Sequence, residues 1–407
     1  MTARHRLSAA QLTAIAWGRP DRQVIEALYR ADDSRLLLLA AHALRSVGAV
    51  NGEAALSVLA EGQRRDPAAV AAILREGWLG PWAARILAGT EKPDAVAGRL
   101  SVLAAVAALR TGVHADLTIP AFRESLHFPG TGTVRLNNTG DVEVSVRERL
   151  IVRSPHAGWS PARQLVGDGI RLLFDDQDPY RDTFRTTPSR RVSDPDLHSW
   201  RTTLLEAWEL LHRYATPAAE QVGGGLRVLV PLAATPHMSE LSVSSADALG
   251  ALAATDPVDA PGFAMTLVHE WSHSLLNGLL EFCVLHEPGS PAVHFAPWRP
   301  DPRPLGGLLH GVFAFLAVAE TQQALLSAGV GGDRVENGFA LRRAQLAEVM
   351  RTLPEASGLT SQGRRFTAIL AHRSAALGDT PVRTTAATTA AARVAADRAV
   401  WERRHQG

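Results

Sequence analysis

The 407-residue sequence predicts an α+β, mainly helical fold. We expect an N-terminal helical domain, then a small, mostly antiparallel β region packed on a helical metal-binding domain. Three observations carry this prediction. Apolar residues recur three and four positions apart in long Ala- and Leu-rich stretches towards both ends of the chain. Short alternating or β-branched runs, separated by turn sequences, lie between about residues 113 and 176. The sequence HEWSH lies inside an otherwise apolar helical stretch near residue 270.

Composition excludes several classes of protein. The 42 basic residues nearly balance the 41 acidic ones, so no excess charge points to nucleic acid or to an anionic membrane. The single cysteine, Cys283, excludes an intramolecular disulfide and fits a reducing compartment. The longest apolar run, Leu305 to Ala319, is too short to span a membrane. We therefore predict a cytoplasmic protein without nucleic-acid or membrane partners; the oligomeric state stays open.

Residues 1–112 are predicted to form the N-terminal domain of five or six helices, because glycine and proline interrupt the helical pattern repeatedly. Ser8 and Gln11 have the spacing of a capping box, which favours a helix start over a signal peptide. No residue of this domain suggests catalysis.

Residues 113–258 are predicted to form a mixed β and α region. The turn sequences PGTGT and NNTGD separate strands in its first half. Asp194 before Pro195 predicts the N-cap of a helix that ends near Tyr214. After a loop at Gly223–Gly225, residues 226–233 predict a buried strand, and residues 238–254 a further strand or hairpin.

The segment DDQDPYRD of this region carries four aspartates. Three interpretations are open: a calcium site, a site for a basic peptide, and a solvated turn paired with Arg181. The segment lacks the glycine and the final glutamate of an EF-hand loop, which favours the solvated turn. The four residues are Asp175, Asp176, Asp178 and Asp182.

Residues 259–407 are predicted to form the metal-binding domain. A helical pattern runs from Asp259 to His286, and a proline-rich loop from Glu287 to Pro304 follows. Three or four helices complete the chain, of which the last is expected to be weakly anchored.

The strongest chemical signal is the pair His269 and His273. Histidines four apart lie one turn apart on the same helix face, so both imidazoles reach one metal ion. Glu270 follows the first histidine and is expected near the same pocket. Burying these groups in an apolar helix is costly without a ligand. The alternative is a pair of buried core histidines that hydrogen-bond to the backbone or to each other.

The third ligand decides the chemistry. Metzincins would need glycine and histidine where this chain has Leu276 and Leu279. His286 lies 13 residues beyond His273, about 20 Å away if the helix continues, and reaches the ion only if the helix breaks at Asn277–Gly278.

Four candidates remain further along the chain. Glu320 would suit a thermolysin-like peptidase, but Gln323 replaces the acidic residue expected there. We prefer the histidine in LGGLLHG, because its surroundings are apolar and the glycines allow backbones to approach closely. The candidates are His294, Asp301, His310 and Glu320, of which His310 is preferred.

The proline-rich loop presents two arginines, Arg299 and Arg303. Prolines stiffen the loop in an extended form and fix the direction of these side chains. Two guanidinium groups beside a metal-binding helix suit a ligand carboxylate. The alternative is a rigid connector whose arginines are solvated or paired with Asp301.

The run from LVHEWSHSLL through FAPWRPDPRPLGGLLHGVFAF resembles the HExxH-motif peptide-modification proteins of bacterial gene clusters for ribosomally made peptides. DDQDPYRD and LSVSSADALGAL resemble the same family, and the resemblance covers residues 165–330. It implies an Fe(II)- and α-ketoglutarate-dependent hydroxylase acting at a β-carbon of a precursor peptide. His269, His273 and His310 would then hold iron, and Arg303 or Arg299 the distal carboxylate of the cosubstrate.

Two other functions stay open. In a zinc metallopeptidase, Glu270 would be the general base that activates zinc-bound water. In a non-catalytic peptide-binding protein, the metal would be structural and its coordination closed.

Overall fold

The computed structural model describes residues 5–47, 52–121, 123–184, 186–234, 240–289 and 293–405. Within these ranges the chain is mainly helical with small antiparallel sheets, which confirms the predicted α+β class. Six helices precede the first strand, as predicted: α1 (Ala9–Ala16), α2 (Arg22–Val47), α3 (Glu53–Arg65), α4 (Pro67–Glu76), α5 (Leu79–Leu87) and α6 (Pro93–Thr111).

The capping box at the start of α1 is confirmed. The backbone N–H of Gln11 donates to the Ser8 hydroxyl at 3.2 Å, and the backbone N–H of Ser8 donates to the Gln11 side chain at 2.8 Å. Two amide groups that the first helical turn leaves without partners are thereby satisfied.

The β region contains eight strands in its first half and three in its second. Between the two halves, Ser193 caps α7 (Asp194–Tyr214), so the predicted cap at Asp194 is one residue late. Helix α8 (Thr216–Gly225) replaces the loop predicted at its three glycines. The strands are β1 (Ala115–Ala121), β2 (Ser125–Phe128), β3 (Gly132–Leu136), β4 (Gly140–Val146), β5 (Leu150–Val152), β6 (His156–Pro161), β7 (Arg163–Gly167), β8 (Ile170–Phe174), β9 (Val228–Pro231), β10 (Ser242–Ser244) and β11 (Ala251–Ala254).

These strands form three sheets. Two are antiparallel, with the orders β1-β4-β5 and β2-β3-β6. The third has the order β10-β11-β9-β8-β7, and its three central strands are parallel. The hairpin predicted over residues 238–254 is the antiparallel pair β10 and β11; residues 238 and 239 lie outside the described residues.

The five-stranded sheet separates two hydrophobic cores. Alternate residues of a strand point to opposite faces. In β8, Leu172 and Phe174 pack into one core and Leu173 into the other. The first core also holds Ile15 of α1 together with the C-terminal helices, while α3–α6 pack in the second. The first core therefore draws on residues from either side of positions 112 and 258, and the second on residues from either side of position 112.

The C-terminal segment contains the helix that carries HEWSH. Asp259 caps it by accepting from the Gly262 amide at 2.7 Å. It ends at Leu280, six residues before the predicted end at His286. The elements are α9 (Ala260–Leu280), β12 (Val293–His294), β13 (Arg303–Pro304), α10 (Leu305–Ser327), α11 (Gly332–Met350), α12 (Ser361–Ala376) and α13 (Thr384–His405).

Helix α13 is firmly anchored, contrary to the prediction. It packs along α11, burying Ala386, Ala390 and Val394. Arg398 also forms an ion pair with Glu348 of α11. The small alanine side chains of α13 allow it to pack closely on α11. The weak hydrophobic pattern of this segment did not predict that packing.

Helix α10 continues eight residues beyond the predicted apolar run. With 23 residues it is, within the described part of the chain, the one helix long and apolar enough to cross a membrane. However, 67% of its most apolar window is buried inside the protein, where α10 packs between α9 and α11. This is the burial of a core helix in a soluble protein.

Candidate metal centre

Helix α9 presents one half-exposed stripe while the rest of its circumference is largely buried. The stripe contains Thr266, His269, His273 and Asn277, which are three or four residues apart. The Nε2 atoms of the two histidines are 3.1 Å apart, and their ring centroids 4.6 Å. The predicted pairing of these imidazoles on one helix face is present in the structure.

Helix α10 brings His310 against His273, the second histidine of this pair. Its Nδ1 lies 3.5 Å from Nδ1 of His273, and the ring centroids are 5.6 Å apart. His273 is the middle member and presents Nε2 to His269 and Nδ1 to His310. As the rings lie, the three histidines do not offer one nitrogen each within 4.8 Å of one another. One ion shared by all three therefore requires the His273 ring to turn until a single nitrogen faces both neighbours.

All three imidazoles are held in the neutral form. Burial lowers the pKa of His269 and of His310 to about 4, and that of His273 well below its ordinary value. Nearby positive charge adds to the effect: Arg342 acts on His269, and Arg303 on the other two. Neutral imidazole is the form that binds a metal ion.

The donor set fits a first-row transition metal. Three imidazole nitrogens suit iron, zinc or copper, whereas calcium and magnesium prefer oxygen. Each hydrogen-bond contact found for these imidazoles among the described residues joins two members of the trio. Because the three side chains are only half-buried, a ligand can approach them.

Glu270 is turned away from the trio towards strand β10. Its side chain is 2% exposed, and its Oε1 accepts a hydrogen bond from the Ser242 hydroxyl at 2.7 Å. Burial raises the pKa of the carboxyl, while hydrogen bonds from Ser242 and Ser244 act in the opposite direction. We found no role for these serines from residue patterns; only their place in LSVSSADALGAL, within the resemblance, marked them.

The other candidate ligands have different neighbours. Glu320 makes a bidentate pair with Arg373, with both N–O distances at 2.8 Å. Asp301 binds Arg299, its neighbour in the loop. His286 packs over Gly306, one turn before His310, because α9 ends early. His294 lies on β12 opposite Arg303 of β13.

The three glycines around His310 were expected to let another backbone approach closely. In the structure they make room for side chains instead. A Cβ at Gly306 would lie 2.5 Å from His286 Nε2, and one at Gly311 would lie 2.5 Å from the Trp298 ring. A Cβ at Gly307 would lie 3.0 Å from Arg303 Nε. The loop side chains therefore pack directly on the first turns of α10.

The two loop arginines differ in their surroundings. Arg299 binds Asp301 with its Nε at 2.6 Å and is 41% exposed, which is the paired alternative considered above. Arg303 is nearer the trio, since its charge lowers the pKa of two of its histidines. Its Nε is buried without a hydrogen-bond partner among the described residues. Its Nη1 lies 3.7 Å from Asp301 Oδ2, a longer contact than the one Arg299 makes. Of the two, Arg303 is therefore the more available to a ligand at this site.

A second group of possible metal donors lies elsewhere. The donor atoms of His127, Asp175 and Asp178 lie within 4.8 Å of one another. However, Asp178 accepts from Arg99 at 2.7 Å, and Asp175 accepts from the Trp78 indole at 2.7 Å. Backbone amides occupy the other oxygens of both carboxylates. A cation would have to displace these donors, so we interpret the cluster as structural.

The prediction of a solvated turn at DDQDPYRD is wrong. Three of its aspartates are at most 3% exposed. Asp176 and Asp178 pair with arginines outside the segment, and Asp175 accepts from the Trp78 indole. Arg163 and Arg191 bind Asp176, whereas Arg181 donates to backbone carbonyls.

Arg342 of α11 was missed by the sequence analysis. Its guanidinium carbon lies 4.1 Å from the centroid of the Phe315 ring, and that ring contacts His269 with a centroid distance of 4.8 Å. Nothing in the sequence distinguishes it, because 41 of the 42 basic residues are arginine.

We compared the chain with protein-family models and with curated proteins. No protein-family model matches the chain, and no curated protein matches it.

The neutral histidines predict that the metal-free protein is sensitive to acid. Because the folded-state pKa of His269 and of His310 is near 4, below the ordinary 6.5, the unfolded chain takes up more protons between these values. Stability should therefore fall as the pH decreases from about 6.5 to about 4. Glu270, whose pKa is raised, contributes with the opposite sign.

Thermal unfolding in the presence of a chelator, followed across this pH range, checks the prediction. His269→Gln/His310→Gln should lose part of the pH dependence, whereas a change of the exposed His198 to Gln should keep it. Equal slopes in the wild type and the double variant would contradict the assignment.

Proposed function

We propose that this protein is an Fe(II)- and α-ketoglutarate-dependent oxygenase that hydroxylates a β-carbon in a ribosomally made precursor peptide, in the cytoplasm. The observation that carries the proposal is the convergence of His269, His273 and His310 from two helices, with the Arg303 guanidinium beside them. Three nitrogen ligands leave coordination positions open for a cosubstrate and oxygen.

The chain's own residues have separate tasks in this proposal. The three histidines hold the ion in their neutral form. Arg303 binds the distal carboxylate of α-ketoglutarate through its planar fork, and Arg299, held by Asp301, stabilises the loop. A bound Fe(II) would supply the activation of oxygen. In the overall reaction one oxygen atom enters a C–H bond of the peptide, and the other enters succinate as α-ketoglutarate loses carbon dioxide.

The surroundings of two glutamates favour the oxygenase over a zinc peptidase. A general base must reach the metal-bound water, whereas the Glu270 carboxyl accepts a hydrogen bond from Ser242 on the β10 side of the helix. Glu320, the ligand expected in a thermolysin-like site, pairs with Arg373. The half-exposed histidines also favour an open site over a closed structural one.

The test is anaerobic reconstitution with Fe(II), followed by oxygen, α-ketoglutarate and a precursor peptide encoded beside the gene. A peptide heavier by one oxygen atom, with succinate formed, supports hydroxylation; cleavage of the peptide supports the zinc peptidase. An unmodified peptide and no succinate would contradict both enzymes and favour the binding protein.

Three variants sharpen this test. Arg303→Lys keeps the charge but loses the fork, so half-saturation by α-ketoglutarate should need about ten- to a hundredfold more cosubstrate. Metal content should stay unchanged. Arg299→Lys, at the paired arginine, is the matched control. Glu270→Gln retains an acceptor for Ser242 and should spare hydroxylation, whereas it would stop hydrolysis.

A further inference from the structure

A cavity of about 450 Å³ lies beside the metal centre, between the proline-rich loop, α11 and α13. This volume is in the range of small-ligand sites. Aromatic side chains form much of its wall, and the amide of Gln345 and the guanidinium of Arg342 reach it as polar groups. The aromatic residues of this wall are Phe295, Trp298 and Trp401.

The arginines that line this cavity pair with carboxylates among the described residues, with one exception. Arg299 pairs with Asp301, and Arg393 pairs with Asp397 at 2.9 Å. Arg342 has no carboxylate partner among the described residues. Its Nη1 donates to Gln345 Oε1 at 2.6 Å, and its other N–H groups have no acceptor in the described part of the chain.

Several contacts hold Arg342 in place without neutralising it. Its guanidinium stacks on Phe315, and Gln345, which is 4% exposed, also donates to the Pro297 carbonyl at 2.9 Å. Burial lowers the pKa of Arg342 to about 10, which reflects the cost of an unbalanced charge in this position. An anion that entered the cavity would remove this cost.

We propose that Arg342 binds a ligand carboxylate inside this cavity. A carboxylate matches the planar guanidinium fork, and the aromatic wall suits the carbon skeleton that carries it. Phe315 separates Arg342 from His269, so the carboxylate would bind one aromatic ring away from the metal centre.

The ligand's identity rests on the proposed function, whereas the carboxylate site does not. Two sources supply this chemistry: the acidic side chain of a precursor peptide, or a small dicarboxylate such as α-ketoglutarate. Arg303 already lies beside the histidines, and the cavity is open to the loop surface at Arg299 and Pro300. We therefore favour the peptide.

The experiment measures binding to the metal-free full chain by calorimetry, so that it does not depend on activity. The probes are α-ketoglutarate, glutarate, the precursor peptide, and the same peptide with its acidic residues changed to amides. Each is titrated into the wild type, Arg342→Gln, Arg342→Lys and the control Arg351→Gln, at an arginine at the end of α11 that is 73% exposed and does not line the cavity. Circular dichroism checks that each variant is folded.

The favoured outcome is that Arg342→Gln weakens peptide binding at least tenfold, that Arg342→Lys weakens it less, and that the amide peptide binds equally weakly to all proteins. The same pattern with α-ketoglutarate and glutarate would support the site with the dicarboxylate as its ligand. The proposal is overturned if Arg342→Gln binds every probe as the wild type does, if Arg351→Gln is equally impaired, or if the wild type binds no carboxylate. A protein that binds the carboxylate but forms no succinate contradicts only the proposed function.

Discussion

His273→Ala is expected to weaken metal binding by at least about a hundredfold while the protein stays folded. His273 is the middle member of the trio and contacts both other imidazoles, so its loss separates the two remaining donors. Changes to groups that merely orient a ligand already cost about 10- to 100-fold in affinity, and removing a ligand costs more. Metal content after reconstitution and titration with Fe(II) or Zn(II) measure the effect.

Two further variants test which residue of α10 serves the site. His310→Ala should weaken metal binding strongly, whereas Glu320→Ala should leave it unchanged. The glutamate variant should instead lower thermal stability, because Arg373, which is 4% exposed, loses its carboxylate partner. Loss of metal from Glu320→Ala with retention in His310→Ala would favour the peptidase architecture over the three-histidine site.

Asp178→Ala should lower the free energy of unfolding by about 3–5 kcal/mol, the cost typical of removing one partner of a buried ion pair. Asp178 is fully buried, and the side chain of Arg99 is 5% exposed. Without the carboxylate, the guanidinium keeps only its hydrogen bond to the Gly77 carbonyl among the described residues. Urea denaturation measures the change.

Asp182→Ala is the matched control in the same segment. Asp182 is about half exposed and pairs with Arg85 at the surface, so its loss should cost less than about 1 kcal/mol. Similar small losses in both variants would show that Asp178 and Arg99 do not form a stabilising buried pair.

The sequence alone predicted features that depend on local spacing. The capping box of α1 needs only Ser8 and Gln11 three residues apart, and the shared face of His269 and His273 follows from the helical period. The six N-terminal helices and the run of strands after residue 113 followed from periodicity and turn residues in the same way.

One prediction from local sequence was wrong because residues distant in the chain decide the structure there. Gly223–Gly225 predicted a loop, but these residues end α8 because other parts of the chain pack against them. A Cβ at Gly225 would lie 2.3 Å from the Trp271 ring, and one at Gly223 would lie 2.6 Å from the Gly169 carbonyl. Glycine is required there by close packing, and packing outweighs its weak helix propensity.

What the sequence by itself determined was a helical pair of histidines within an α+β chain. Only the tertiary structure decided which groups surround that pair. It placed His310 beside His273, turned Glu270 towards Ser242, and brought Arg342 to the cavity next to the centre. These contacts join residues 28 or more positions apart, and no periodic pattern encodes them. Burial then shifted their pKa values, since the same imidazoles and guanidinium in water would keep their ordinary ones.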